Sequence, residues 1–491
     1  MEQHELNGQL RPHLLLFPFP GQGNMNSMLN LAETLCHSGL HITFLNSDHN
    51  QQRLLRFTDA QERFSRWPTF RFQTIADGLP ADHPRSVSTF FEMLNSMKAT
   101  AEPLFREMII AARQESGQWP PLSCIIADGI MPFTIDLAEE LKIRAIIYRA
   151  ISACCLWTFF CLPRLFAAAE LPFQGDDDEV DMDVPIKSVP GMEGFLRRQD
   201  LPSFFRTKDP NDPVLQKLHA ENQQMTQVSA LVINTFEDLE GPILTQLRSQ
   251  VPNLYTVGPL HALSSRRQHS SSSSASNIAA SNSLWKEDSS CMAWLNSQLP
   301  KSVVYMSFGS LVVYGKDTLM EFWHGLVNSG KLFLWVIRPD SINVSGGEGE
   351  TILAEVVDGA KERGSLVVEW APQEEVLNHP AVGVFLTHSG WNSTMESIYA
   401  GVPMICLPCF ADQQVNSRFV SEVWKVGMAL DICDRGTIER VVRDVMEQKR
   451  EELVESIGGL AKLARKCISE GGSSRCNLDR LIQDLRSINL V

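Results

Sequence analysis

No run of apolar residues in this chain is long enough to span a bilayer. The longest, residues 150–160, falls well short of the ~20 a membrane helix needs, and Pro163 and Arg164 soon interrupt it. It is expected to be a buried helix. Residues 1–12 are polar and carry no basic, apolar and small-residue leader, so a cytoplasmic protein without an integral membrane segment is expected. Positive charge is also scarce: 43 Lys and Arg stand against 58 Asp and Glu, a formal charge of −15. That balance disfavours nucleic acid and anionic membranes, and any anionic ligand would have to be held by local donors. Cysteine is present only as eleven scattered residues, an odd number that suits reduced thiols.

Two motifs are incomplete. Gly21-Gln-Gly-Asn-Met-Asn follows a strand pattern and opens a helix, yet it lacks the third glycine of a dinucleotide fingerprint and the lysine of a phosphate-binding loop. The acidic run at 176–183 invites a divalent-metal reading. Like charges this dense extend a chain, so a solvated loop is expected and no metal site.

What is present describes a globular protein of ordinary composition, 44% apolar and 21% charged, whose 491 residues exceed one ordinary core. In the first half, candidate strands at 13–19, 42–45, 123–127, 145–148 and 230–234 alternate with amphipathic stretches such as 27–37 and 132–141. The second half repeats the scheme with strands at 303–308, 333–337, 365–369, 382–387 and 404–407. Alternation of this kind implies an α/β fold of two Rossmann-like halves with parallel sheets. Between them the serine-rich segment 263–282 is too polar to order itself and is expected to be a mobile loop.

The densest segment is 370–413, WAPQEEVLNHPAVGVFLTHSGWNSTMESIYAGVPMICLPCFADQ. The apolar run 382–387 reads as a buried strand, and 391–399 as a helix opened by a Ser-Gly turn. Polar groups thus collect where a strand ends and a helix begins, where backbone N–H groups and the helix dipole suit a phosphate. Cys406-Leu-Pro-Cys409 has redox spacing but follows a strand inside this segment, and no redox role is expected.

This segment closely resembles the plant secondary-product glycosyltransferase signature of the UDP-sugar-dependent family 1 enzymes. The resemblance implies the GT-B architecture: an N-terminal acceptor domain (1–256), a C-terminal donor domain (257–472) and a C-terminal helix (473–491) crossing back. It implies UDP-glucose as co-substrate, without a further cofactor. Trp370 would stack on uracil, Ala371 present backbone groups to its edge, and Gln373 and Glu396 bind the ribose. His388, Asn392, Ser393 and the start of the Trp391 helix would surround the pyrophosphate, with Ser310 on the opposite side. Asp412 and Gln413 would hold the sugar hydroxyls, glutamine being the residue associated with glucose.

The pattern breaks at one position. In most members a histidine general base follows the Gln-Gly pair; here it is Asn24. An amide can orient a hydroxyl but cannot take its proton. The histidine's usual partner is matched by Asp128. Three readings stay open: Asp128 accepts the proton directly or through water, the acceptor is already acidic, or the enzyme is crippled. A UDP-sugar-binding protein is the alternative from another class, although it would have no use for an apolar acceptor cavity. That cavity is expected from 78–85, 90–97, 150–160 and 190–205, whose aromatic and methionine side chains suit a lipophilic terpenoid. A monomer is expected.

Overall fold

The computed structural model describes residues 11–115, 119–173, 181–209, 211–264, 281–342 and 348–488. Most of the serine-rich segment and residues 176–180 of the acidic run lie outside the described residues. The end of that run is on the surface, where Asp183 accepts from Arg197 at 2.9 Å.

Strands β1 (His13–Phe17), β2 (His41–Ser47), β3 (Phe70–Ile75), β4 (Leu122–Asp128), β5 (Arg144–Arg149), β6 (Ala230–Ile233) and β7 (Leu254–Thr256) form one sheet, ordered β3-β2-β1-β4-β5-β6-β7. A second sheet, ordered β10-β9-β8-β11-β12-β13, contains β8 (Val303–Ser307), β9 (Leu332–Val336), β10 (Leu366–Val368), β11 (Val382–Thr387), β12 (Met404–Cys406) and β13 (Gly427–Ala429). Every strand pairing in both is parallel. Central strands such as HLLLF and VVYMS are buried along their whole length, as a sheet covered on both faces requires. The two sheets are the Rossmann-like halves of a GT-B fold.

Three strands escape the sequence reading, β3, β7 and β13, and all three are sheet edges. β3 is only partly buried, while β7 and β13 have three residues each, too few for a periodic signal. The β7 edge is covered by the helix Ser473–Arg486. Arg480 donates to Leu254 O at 2.9 Å, Asn477 to Thr256 Oγ1 at 2.7 Å, and Tyr255 bonds Asp484. Leu478, Leu481, Ile482 and Leu485 bury the apolar face of that helix.

In each sheet the strand order reverses once, between β1 and β4 and between β8 and β11. Chains leaving those pairs diverge to opposite sides, which opens a crevice at their carboxyl ends. The 22–24 stretch and Asp128 sit at the first reversal, and Ser310 and His388 at the second.

The apolar run 150–160 is a buried helix, Ala153–Phe160, as expected. Ser152 caps it through Cys155 N, and the buried Glu240 accepts from Ala153 N at 3.1 Å and Cys154 N at 2.8 Å. Glu240→Ala leaves two buried donors unpaired, and each costs about 1–3 kcal/mol. A thermal melt should show a clearly lowered Tm, and Glu240→Gln, which keeps one acceptor oxygen, should fall between. A Tm equal to wild type for the alanine variant would mean that Ser152 alone holds this helix end.

Candidate active site

The loops after β1, β4, β5 and β6 and those after β8, β10, β11 and β12 line one cleft of about 940 Å³. Asn24 and each of Ser310, Trp370, Ala371, Gln373, His388, Trp391, Asn392, Ser393, Glu396, Asp412 and Gln413 reach it. Asp128 does not. It is 1% exposed and lies behind Asn24.

At one end of the cleft Trp370 is stacked on Trp285, ring centroids 4.7 Å apart. The Arg53 guanidinium lies 4.8 Å and that of Arg338 5.5 Å from the Trp285 ring. Trp285 is thus the support of Trp370. It precedes the signature, where nothing in the local pattern marks it. Next along, Gln373 accepts from Tyr305 OH at 3.2 Å and donates to Ser393 Oγ at 3.0 Å and Glu396 Oε2 at 2.6 Å. Burial pushes the Glu396 carboxyl up to about 7, against the pull of the Gln373 bond.

His388 follows β11 where Thr387 pairs with Ser307, so the His388 and Ser310 loops emerge side by side. Glycine is needed at both neighbours of the ring. A Cβ at Gly390 would lie 2.5 Å from His388 Nε2, and one at Gly309, whose φ is +69°, 2.8 Å from Cε1. Burial lowers the imidazole to about 4, helped by the charge of Arg338, so it is neutral at pH 7. Arg338 itself donates to Gly309 O and to Val312 O and pairs with Asp340, which fixes the loop carrying Ser310.

Beyond β12, Gln413 Oε1 accepts from Cys409 N at 2.8 Å and Phe410 N at 2.9 Å. Its acceptor is thereby occupied and its amide N–H groups are the part offered to a ligand. Asp412 accepts from Asn416 at 2.6 Å, and burial pushes it up to about 6. Cys406 is buried with its thiol pushed up to about 12, which gives it no thiolate at neutral pH.

On the facing wall, Asn24 Nδ2 donates to Asp128 Oδ2 at 2.7 Å. Burial raises the Asp128 carboxyl, and the Arg149 charge and the Asn24 bond oppose it. With its amide nitrogen committed to Asp128, Asn24 has its Oδ1 to offer to a hydroxyl. An aromatic patch adjoins it, Phe90, Phe204 and Phe410 meeting at 4.9–5.9 Å. Residues 90–97, 150–160 and 190–205 all contribute to the cleft, through Phe90, Phe91, Leu94, Ile151, Phe159 and Phe204. The 78–85 stretch does not, and Trp157 turns away to donate to Pro190 O at 2.9 Å. Phe410, Arg149 and the helix Pro213–Met225, with Lys217 and Glu221, are lining parts that the sequence reading missed.

The two halves are tied at this point. Trp391 Nε1 donates to Asn234 O at 2.7 Å and Asn392 Nδ2 to Gly23 O at 2.7 Å. These two signature side chains therefore reach across to the N-terminal sheet.

Residues 269–455 match the family model described as UDP-glucoronosyl and UDP-glucosyl transferase. The chain is 51% identical over 482 residues to a 7-deoxyloganetic acid glucosyltransferase of Catharanthus roseus, covering 98% of both chains. It is 43% identical over 484 residues to a myricetin 3-O-rhamnoside 1,2-glucosyltransferase of Crocosmia x crocosmiiflora, covering 98% of this chain and 97% of that one. Among solved structures it resembles Os79 from O. sativa in complex with UDP, with a TM-score of 0.77 and 26% identity over 96% of this chain and all of that one. The chain belongs to the plant family 1 UDP-dependent glycosyltransferases.

Proposed function

We propose that this chain transfers glucose from UDP-glucose to a terpenoid of the iridoid class, as an inverting O-glucosyltransferase. The observation that carries the proposal is one cleft in which the full set of signature side chains faces an apolar wall across the position of Asn24. A protein that only bound a UDP-sugar would have no use for that wall. The acceptor class is supported by the relative named for 7-deoxyloganetic acid. A monomer working in the cytoplasm is proposed with it; among the described residues no helix is long and apolar enough to cross a membrane.

In this reading uracil lies on Trp370, with Ala371 at its edge, and the ribose hydroxyls donate to Glu396 beside Gln373. Ser310, neutral His388, Ser393 and the start of the helix Trp391–Ala400 take up the charge that develops on the pyrophosphate as UDP departs. Asp412 and the Gln413 amide hold the sugar. The acceptor oxygen attacks C1 from the face opposite UDP, the C1–oxygen bond to phosphate breaks with its electron pair, and the product is a β-glucoside. Asn24 Oδ1 orients the attacking hydroxyl while Asp128 orients Asn24. Direct proton transfer to Asp128 has Asn24 in its path. The proton of the hydroxyl held by Asn24 Oδ1 passes to solvent as the C1–oxygen bond forms, so the arrangement suits an acceptor hydroxyl more acidic than an ordinary alcohol. General base assistance is worth ~10²–10⁴-fold, and ordinary alcohols would go without it.

Asn24→His, by pairing with Asp128, is expected to raise initial rates on a neutral alcohol by up to ~10²-fold and to change little on an acidic acceptor. Rates that do not differ between the two acceptors would remove proton transfer from the account.

Donor binding carries a pH signature. With Glu396 pushed up to about 7, the free enzyme protonates it below that pH and loses an acceptor for the ribose diol. KM for UDP-glucose should rise between pH 8 and pH 6, and Glu396→Gln should give a higher but flatter profile. A flat wild-type profile would place the ribose elsewhere.

Gln413→Ala should cost about 1–3 kcal/mol of transition-state binding with UDP-glucose, and it should also lower Tm because Cys409 N and Phe410 N lose their acceptor. Activity should persist in EDTA and the product should be the β-anomer. An α-product, or full loss in EDTA restored by magnesium, would overturn the single-displacement mechanism.

A further inference from the structure

The acceptor wall contains a cation, Arg149, that has no hydrogen bond or ion pair with the described residues. Arg149 closes β5 and lines the same cleft as Phe90, Phe159 and Phe204. Its Nε is sealed from solvent and has no hydrogen-bond partner. The guanidinium lies over Gly129, where a Cβ would stand 2.7 Å from Arg149 Cδ and 3.4 Å from one terminal nitrogen. Glycine at 129, directly after Asp128, is thus what gives the side chain its room.

Three carboxyls feel this charge, Asp128, Asp412 and Glu221, yet none forms an ion pair with it. Asp128 is taken by Asn24 and Asp412 by Asn416. Glu221 Oε1 sits 4.0 Å from Lys217 Nζ and is buried without a hydrogen bond. A partly buried guanidinium is costly to desolvate unless an acceptor meets it, and its planar fork matches a carboxylate in a bidentate way. The cleft holds space in front of it. An anion arriving there would meet the terminal nitrogens of the fork, since the sealed Nε is out of its reach.

We propose that Arg149 is the acceptor-recognition residue, pairing with a carboxylate on the acceptor, so that the preferred substrate is an organic acid with an apolar body. This rests on the glucosyltransferase reading and adds the charge state of the substrate to it. The paired carboxylate fixes the acceptor's orientation on the aromatic patch, and the attacking oxygen is then presented to Asn24.

The test is equilibrium binding by calorimetry, in the presence of UDP, of 7-deoxyloganetic acid and its methyl ester. These share an apolar frame and differ in charge. Wild type should bind the acid roughly 10²-fold more tightly than the ester, in line with a buried, hydrogen-bonded charge pair. Arg149→Met should erase that preference by weakening the acid alone, and Arg149→Lys should keep part of it. UDP affinity and Tm of both variants serve as the check that the fold and donor half are intact. Equal binding of acid and ester by wild type overturns the proposal. So does an Arg149→Met variant that loses both ligands together, the result expected if Arg149 only steadies the surrounding carboxyls. Because binding is read without turnover, an enzyme that binds the acid selectively yet forms no glucoside would sink the transferase reading and leave this one standing.

Discussion

Parallel strands all end on the same side of a sheet, and this one constraint organises the molecule. Each sheet delivers its strand-to-helix loops along one edge, and where the strand order reverses, neighbouring loops part and leave room. The reversals at β1/β4 and at β8/β11 hold Asn24 and Asp128 in one half and Ser310 and His388 in the other. Glycines at 309 and 390 then let the imidazole lie flush against two backbones. The chemistry therefore depends less on any one side chain than on loops that must emerge in register.

An acidic protein that handles a doubly charged donor faces an electrostatic problem, and in the proposed reading it is met with neutral dipoles. His388 is held uncharged by burial, and the serines, amides and helix start around it bring partial charge only. Arg338 is spent on carbonyls of the Ser310 loop and on Asp340, and Arg53 on Leu284 O and the Trp285 face. Positive charge builds the walls, and N–H groups do the contacting. Neutral donors fixed in place do not need to reorganise as the leaving group develops its charge.

The central strands and the signature helix were legible because they combine long apolar runs with turn residues at fixed offsets. The edge strands were not, since β7 and β13 are three residues long and β3 alternates on a half-exposed surface. In the site, the signature and the Ser310 turn supplied the candidate donor residues, and every one of them lines the cleft. What it could not disclose are contacts made by fold rather than by neighbourhood in sequence. Trp285 supports Trp370 from 85 positions away, and Phe410, in the C-terminal half, completes an aromatic patch with Phe90 and Phe204 of the N-terminal half. Trp157 shows the converse: it has the right composition in the right segment, but its indole is turned to Pro190.

The bonds from Trp391 to Asn234 and from Asn392 to Gly23 have a bearing on how such enzymes can be recombined. Both acceptor atoms are backbone carbonyls, present whatever side chain occupies those positions. A donor half grafted onto a foreign acceptor half will find its two anchors wherever the loops after β1 and β6 keep their course. Gly23 adds one condition, because a Cβ there would come within 3.3 Å of the Asn392 amide. At these two anchors, exchange is thus governed by loop path and one small residue, whereas contacts such as Arg53 to Leu284 O also depend on the side chain present.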